Sequence, residues 1–188
     1  MVRGTDTQRV QTADGVESSA AAQRTMMTCA KRYPRRGRYA RAEVDSPFRH
    51  RFRVRYAECD PQGVVFNAHY LAYADLVMTE LWREGVPGGY PAMIDAGADM
   101  VVAEANLRFR SSARFDDELE AQLAVTRLGT TGMTTLIRLL SDGELVCEID
   151  LRHVFVAADG SGKVPIPDTV RNGLEPHLAE PATDAVSS

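Results

Sequence analysis

The order of residue patterns predicts an α+β fold: one strand, one long helix, then an antiparallel run of strands. Three observations carry this. The stretch "FRHRFRVRYAE", residues 48–58, alternates with period two. The segment from Asn67 to Arg83 repeats its apolar residues with the period of an α-helix. Four strand-like segments follow without a second long helix, and short turn sequences join the last three.

Taken in order, the first strand sets Phe48, His50, Phe52, Val54 and Tyr56 on one face and Arg49, Arg51, Arg53 and Arg55 on the other. Four arginines on one face repel unless anions or acidic side chains lie against them. A solvated or subunit-facing surface and a phosphate-binding face are both open readings. The helix lines up Tyr70, Tyr73, Ala74, Val77, Met78, Leu81 and Trp82 in one apolar stripe. Asn67 is its expected N-cap, and Gly85 and Pro87 stop it. The helix would run roughly 25 Å. Strands are expected over 99–110, 116–128, 133–141 and 144–157, with "GTTG" and "SDGE" as hairpin turns. Leu145, Cys147, Ile149, Leu151 and His153 share a face, so His153 reads as a core or interface histidine. "PIPDTVRNGL" closes with a short helix. One helix cannot cover all the apolar strand surface, so the rest is expected to meet a second copy of the chain, as a homodimer or homotetramer.

A length of 188 residues favours one domain with a substantial core. That domain is expected over 46–174, with 175–188 as a frayed tail and 1–45 as a disordered basic extension. Residues 1–45 carry 9 Lys/Arg against 5 Asp/Glu, a net +4, whereas 46–188 carry 13 against 21, a net −8. The acidic part argues against a nucleic-acid partner. No apolar run approaches the length of a membrane span. Three cysteines (Cys29, Cys59 and Cys147) with no metal-type spacing argue against a disulfide framework and a zinc site, and for reduced thiols in a cytoplasmic protein. No metal and no cofactor is expected, and no glycine-rich phosphate loop occurs.

Between the first strand and the helix stands one carboxylate, Asp60, followed by Pro61-Gln62-Gly63. Alone it reads as a turn or helix-entry acid. The surrounding stretch "YAECDPQGVVFNAHYLAYAD" resembles the active-site segment of hotdog-fold acyl-CoA thioesterases of the 4-hydroxybenzoyl-CoA thioesterase family. The matching positions are Tyr56, Asp60, Gly63, Val64-Val65-Phe66 and Asn67, with Tyr70 inside the helix. A second match is "LRFRSSARFDDELEAQ", where Ser112 stands in place of the proline often found in the family. The resemblance covers about residues 48–174.

It implies a five-stranded antiparallel sheet wrapped around one central helix, with paired subunits and an active site between them. It also implies hydrolysis of a thioester of coenzyme A, or of an acyl carrier protein. Asp60 would be the nucleophile or the general base for water, the backbone N–H of Asn67 would receive the oxyanion, and Gly63 would let the loop approach closely. Phe66 and Tyr70 are candidates for an apolar substrate pocket, with packing as the plainer reading, and His69 for polarising substrate or water, with a surface or interface place as its alternative. Arg108 and Arg110 are candidates for binding CoA phosphates, with pairing to Asp116, Asp117 and Glu118 as the plainer alternative for the arginines. Cys59 neighbours Asp60 on an extended chain and so points away from it. A hydratase or dehydratase built on His69 and Asp75, and an acyl-CoA-binding protein without activity, remain as alternatives.

Overall fold

A computed structural model describes residues 48–179. The expected extension 1–45, its basic run and Cys29 lie outside the described residues, as does 180–188. Five strands, β1 (Phe48–Arg53), β2 (Ala98–Phe109), β3 (Glu118–Leu128), β4 (Gly132–Ser141) and β5 (Glu144–Ala157), form one sheet in the order β1-β3-β4-β5-β2. Every pairing is antiparallel. The helices are α1 (His69–Gly85), α2 (Gly89–Asp95) and α3 (Asp168–Leu174).

The helical stripe read from the sequence is the buried face of α1: Tyr70, Tyr73, Ala74, Val77, Met78, Leu81 and Trp82. It packs in one core with Leu119, Leu123, Ile137, Leu139 and Ile149 of the sheet. Val77 and Leu81 are fully enclosed, and each such side chain contributes about 1.5–3 kcal/mol by leaving water. Among the described residues no helix is long and apolar enough to cross a membrane.

The strands fall close to their expected ranges, and their turns show why. Asp142 and Gly143 both take positive φ (50° and 78°), the conformation a two-residue hairpin turn needs. At the other hairpin a Cβ on Gly132 would sit 2.7 Å from the His153 carbonyl oxygen, so only glycine fits there. The first strand stops earlier than its alternation predicts. Val54 is buried, but the chain then turns into a 3-10 helix at Tyr56–Glu58, leaving Tyr56 exposed. Glu58 causes the turn: its carboxylate accepts the Arg55 N–H at 2.7 Å, and its own N–H reaches the Arg55 carbonyl at 3.1 Å. The chain also stays docked beyond Leu174. A 3-10 turn at Glu175–His177 follows, His177 meets Phe48 edge-on, and the Ala179 N–H reaches the Val125 carbonyl at 2.9 Å.

The arginine face of β1 carries acidic partners. Arg49 and Arg51 hold Glu120 at 2.9 and 2.6 Å, and Arg53 reaches Glu118 and Asp116, each at 3.4 Å. Strand register accounts for this, since Arg51 lies opposite Glu120 and Arg53 opposite Glu118 on β3. At the far side of the sheet β2 is an edge strand, and Val101, Val102 and Phe109 along it are exposed.

His153 is core, at 2% exposure, and its Nδ1 has no hydrogen-bond partner among the described residues. Burial pushes its pKa down from 6.5 to about 4. The unfolded chain therefore takes up a proton that the folded one refuses, and stability falls as pH drops from about 6.5 toward 4. Between pH 7 and pH 5 this group should cost about 2 kcal/mol of stability. Urea unfolding at both pH values should show that loss in the wild type and lose that much of the difference in His153→Leu. An unchanged pH dependence in the variant would assign the effect elsewhere.

Candidate active site

The loop from Glu58 to Asn67 folds as a small hairpin before α1. The Asp60 N–H reaches the Val64 carbonyl at 2.9 Å, Cys59 bridges Val65, and the Phe66 N–H reaches the Glu58 carbonyl at 2.9 Å. Its turn is Asp60-Pro61-Gln62-Gly63, closed by the Gly63 N–H on the Asp60 carbonyl at 2.9 Å. Proline presets the second position, and Gly63 takes a φ of 75° that disfavours a side chain. The Asp60 side chain continues the same design. Its Oδ1 accepts the N–H groups of Gln62 at 2.8 Å and Val64 at 3.4 Å, while Oδ2 takes no hydrogen bond among the described residues. One oxygen holds the turn and the other stays open.

Donors follow down the chain in an informative order. The N–H of Val65 reaches Ala113, that of Phe66 reaches Glu58, that of His69 reaches Phe66 at 2.9 Å, and that of Tyr70 reaches Asn67 at 3.3 Å. The N–H groups of Asn67 and Ala68, between them, have no acceptor among the described residues. They sit at the positive end of α1, where the helix dipole favours negative charge. The helix begins later than expected. Ala68 occupies the cap position with no side-chain hydrogen bond, and His69 is the first helical residue. The Asn67 side chain is therefore not a cap; the turn closed by the Phe66 and Asn67 carbonyls takes that place.

The other expected residues divide. Phe66 is 49% exposed and meets half-buried His69 edge-on at 6.2 Å, so both flank the open donors. Tyr70 is buried, edge-on to Phe109 at 5.1 Å and to Tyr73 at 5.8 Å. Burial pushes its hydroxyl up to about 12. Arg108 and Arg110 sit at the end of β2, away from Asp116 and its neighbours. Arg108 pairs with Asp150 and, at 3.5 Å, with Glu148; Arg110 reaches Glu148 at 3.1 Å. Burial raises the pKa of Cys59, and the Glu58 and Asp60 carboxylates add to the effect, so the thiol stays protonated. His69 and Asp75 do not converge, since Asp75 faces solvent on α1.

One residue the sequence reading passed over is Glu58, only 4% exposed. Its carboxylate accepts the Tyr73 hydroxyl at 2.7 Å, the Arg55 N–H at 2.7 Å and the Arg55 guanidinium at 2.6 Å. Burial by itself would raise its pKa, but these hydrogen bonds outweigh it and hold the group below the ordinary carboxylate range. The bond to Tyr73 ties the Asp60 loop to the buried face of α1. A buried tyrosine hydroxyl needs a partner, and Tyr73 on the apolar stripe was the available signal.

A family model, the thioesterase-like superfamily, matches residues 54–174. The chain belongs to that superfamily. The acyl-CoA thioester hydrolase YbgC of Escherichia coli is 31% identical over 110 residues, which cover 58% of this chain and 81% of that protein. A thioesterase superfamily structure from Jannaschia sp. is 27% identical with a TM-score of 0.67, covering 79% of this chain and 99% of the other. The 1,4-dihydroxy-2-naphthoyl-CoA thioesterase of Synechocystis shares the fold, with a TM-score of 0.62 at 18% identity over 68% of this chain and 94% of that one. The sheet around one long helix is thus the hotdog arrangement, and the reaction class is thioester hydrolysis.

The Glu58–Tyr73 tie generates a stability expectation. Glu58→Ala leaves a buried hydroxyl unpaired and should cost about 2–3 kcal/mol, against about 1 kcal/mol for Tyr73→Phe. Denaturant unfolding of both single variants and the double variant should give a double-mutant cycle with a coupling of at least about 0.5 kcal/mol. Additive losses would mean that the bond holds nothing together.

Proposed function

We propose that this thioesterase hydrolyses acyl-CoA thioesters at a site made of Asp60 and the start of α1. The observation that carries this is that, among the described residues, the N–H groups of Asn67 and Ala68 have no acceptor and lie a few residues beyond a carboxylate with one oxygen unbonded. Thioester hydrolysis needs an attacking group or base and a receiver for negative charge on the carbonyl oxygen. Asp60 attacks the acyl carbon or takes a proton from the attacking water. The Asn67 N–H, supported by Ala68, receives the oxyanion, and Gly63 lets the loop carry Asp60 close to it. Preorganised donors of this kind lower the barrier because they need not reorient as charge develops.

Exposed Phe66 and Phe109 flank the start of α1 and suit an apolar acyl group, with half-buried His69 beside them. Tyr70 supports this surface from below through Phe109. At the end of β2, Arg108 and Arg110 lie against Glu148 and Asp150, and Arg138 reaches Glu148 at 3.6 Å. Arginine holds phosphate through paired N–H groups, which favours Arg108 and Arg110 as the contacts for CoA phosphates. The relation to YbgC favours acyl-CoA as substrate. A second copy completes the site. The exposed apolar edge of β2, ending at Phe109 against Tyr70, is the surface it covers. The free thiols of Cys59 and Cys147 fit a cytoplasmic setting.

Thiol release from a panel of acyl-CoAs, with the mass measured by light scattering in the same buffer, tests the proposal. Asp60→Asn should lose about 10²–10⁴ in kcat with little change in KM. His69→Ala should lose less, because the oxyanion donors are backbone groups. The active species should have at least twice the 20.7 kDa chain mass. An Asp60→Asn enzyme keeping more than about half its kcat, or a fully active 20.7 kDa species, would overturn the proposed site.

A further inference from the structure

We propose a divalent metal site at the far end of α1, formed by His50, Glu80 and Glu84. His50 lies on β1, on the face it shares with Phe48 and Phe52. Glu80 and Glu84 lie one turn apart on α1, and one donor atom from each of the three lies within 4.8 Å of the others. No hydrogen bond or ion pair among the described residues joins His50 to either glutamate; its imidazole stacks on Phe52 at 6.4 Å. The three groups are thus gathered without bonding one another.

The chemistry of the set favours a cation. Two carboxylates one helical turn apart repel, and the Glu80 side chain is only 20% exposed, so water screens it poorly. A divalent ion held at about 2.0–2.2 Å from each donor replaces that repulsion with three bonds. A neutral imidazole with two carboxylates balances the ion's charge. One nitrogen and two oxygens, with room for water, suit Zn2+, Co2+, Ni2+ or Mn2+, while the absence of thiolate disfavours softer ions.

The location defines the role. At about 1.5 Å per residue, Glu84 lies about 22 Å along α1 from His69, so the ion takes no part at Asp60. Among the described residues β1 is an edge strand paired only with β3. An ion shared by His50 and the two glutamates would pin that edge to α1. Arg83, which pairs with Glu80, competes for the same carboxylate.

The test uses the full chain, stripped with chelator, dialysed and titrated with Zn2+ by calorimetry. One ion per chain should bind with micromolar affinity and raise Tm. His50→Ala and Glu84→Gln should each weaken binding by at least about tenfold, and Arg83→Gln should tighten it. Glu84 is exposed, so its glutamine variant keeps the fold and the test. His177→Ala, which removes the imidazole lying against Gly85, should leave the affinity within about threefold. No saturable binding, or binding that survives both His50→Ala and Glu84→Gln, would overturn the site.

Discussion

Everything in this fold depends on one helix covering one face of a five-stranded sheet. Because α1 is the main cover, its stripe from Tyr70 to Trp82 must seat against the sheet, and its first turn is thereby fixed in place. The Glu58 carboxylate extends that constraint to the preceding loop by holding the Tyr73 hydroxyl and the Arg55 backbone together. A loop tied to a helix core is more rigid than a surface loop of the same length. That rigidity is what the proposed reaction centre requires, since backbone donors act by being in place beforehand.

The loop spends its polar groups economically. Among the described residues every N–H from Val64 to Tyr70 has an acceptor except those of Asn67 and Ala68, and the Asp60 carboxylate uses one oxygen to hold its own turn. Nearby, Phe66 and Phe109 are open to solvent in the single chain. A covering subunit would exclude water there and strengthen the interaction of the helix terminus with developing charge.

Much of this was legible because it repeats locally. Period two gave β1, period 3.6 gave α1, and the Asp142-Gly143 pair gave a hairpin whose φ values match it. What sequence could not supply were partners distant along the chain. Arg51 finds Glu120 and Arg108 finds Asp150 only through strand register. His50 meets Glu80 and Glu84 only through packing of β1 on α1. Glu58 ended the first strand early and buried itself against Tyr73, a pairing that alternation alone cannot show. The start of α1 shifted to His69 because backbone carbonyls, not the Asn67 side chain, close its first turn. The turn from Asp60 to Gly63 was readable because Pro61 and Gly63 carry turn chemistry in adjacent residues.

In the proposed reaction, the N–H groups at the start of α1 receive the substrate carbonyl. The most direct measurement is the amide 1H–15N spectrum of the assembled protein with a ketone analogue of an acyl-CoA, in which CH2 replaces the thioester sulfur. At saturation the Asn67 and Ala68 amide protons should move downfield, while those of Phe66 and Tyr70, already bonded within the chain, move less. A saturated complex in which the Asn67 and Ala68 amides do not move would rule out that role for them.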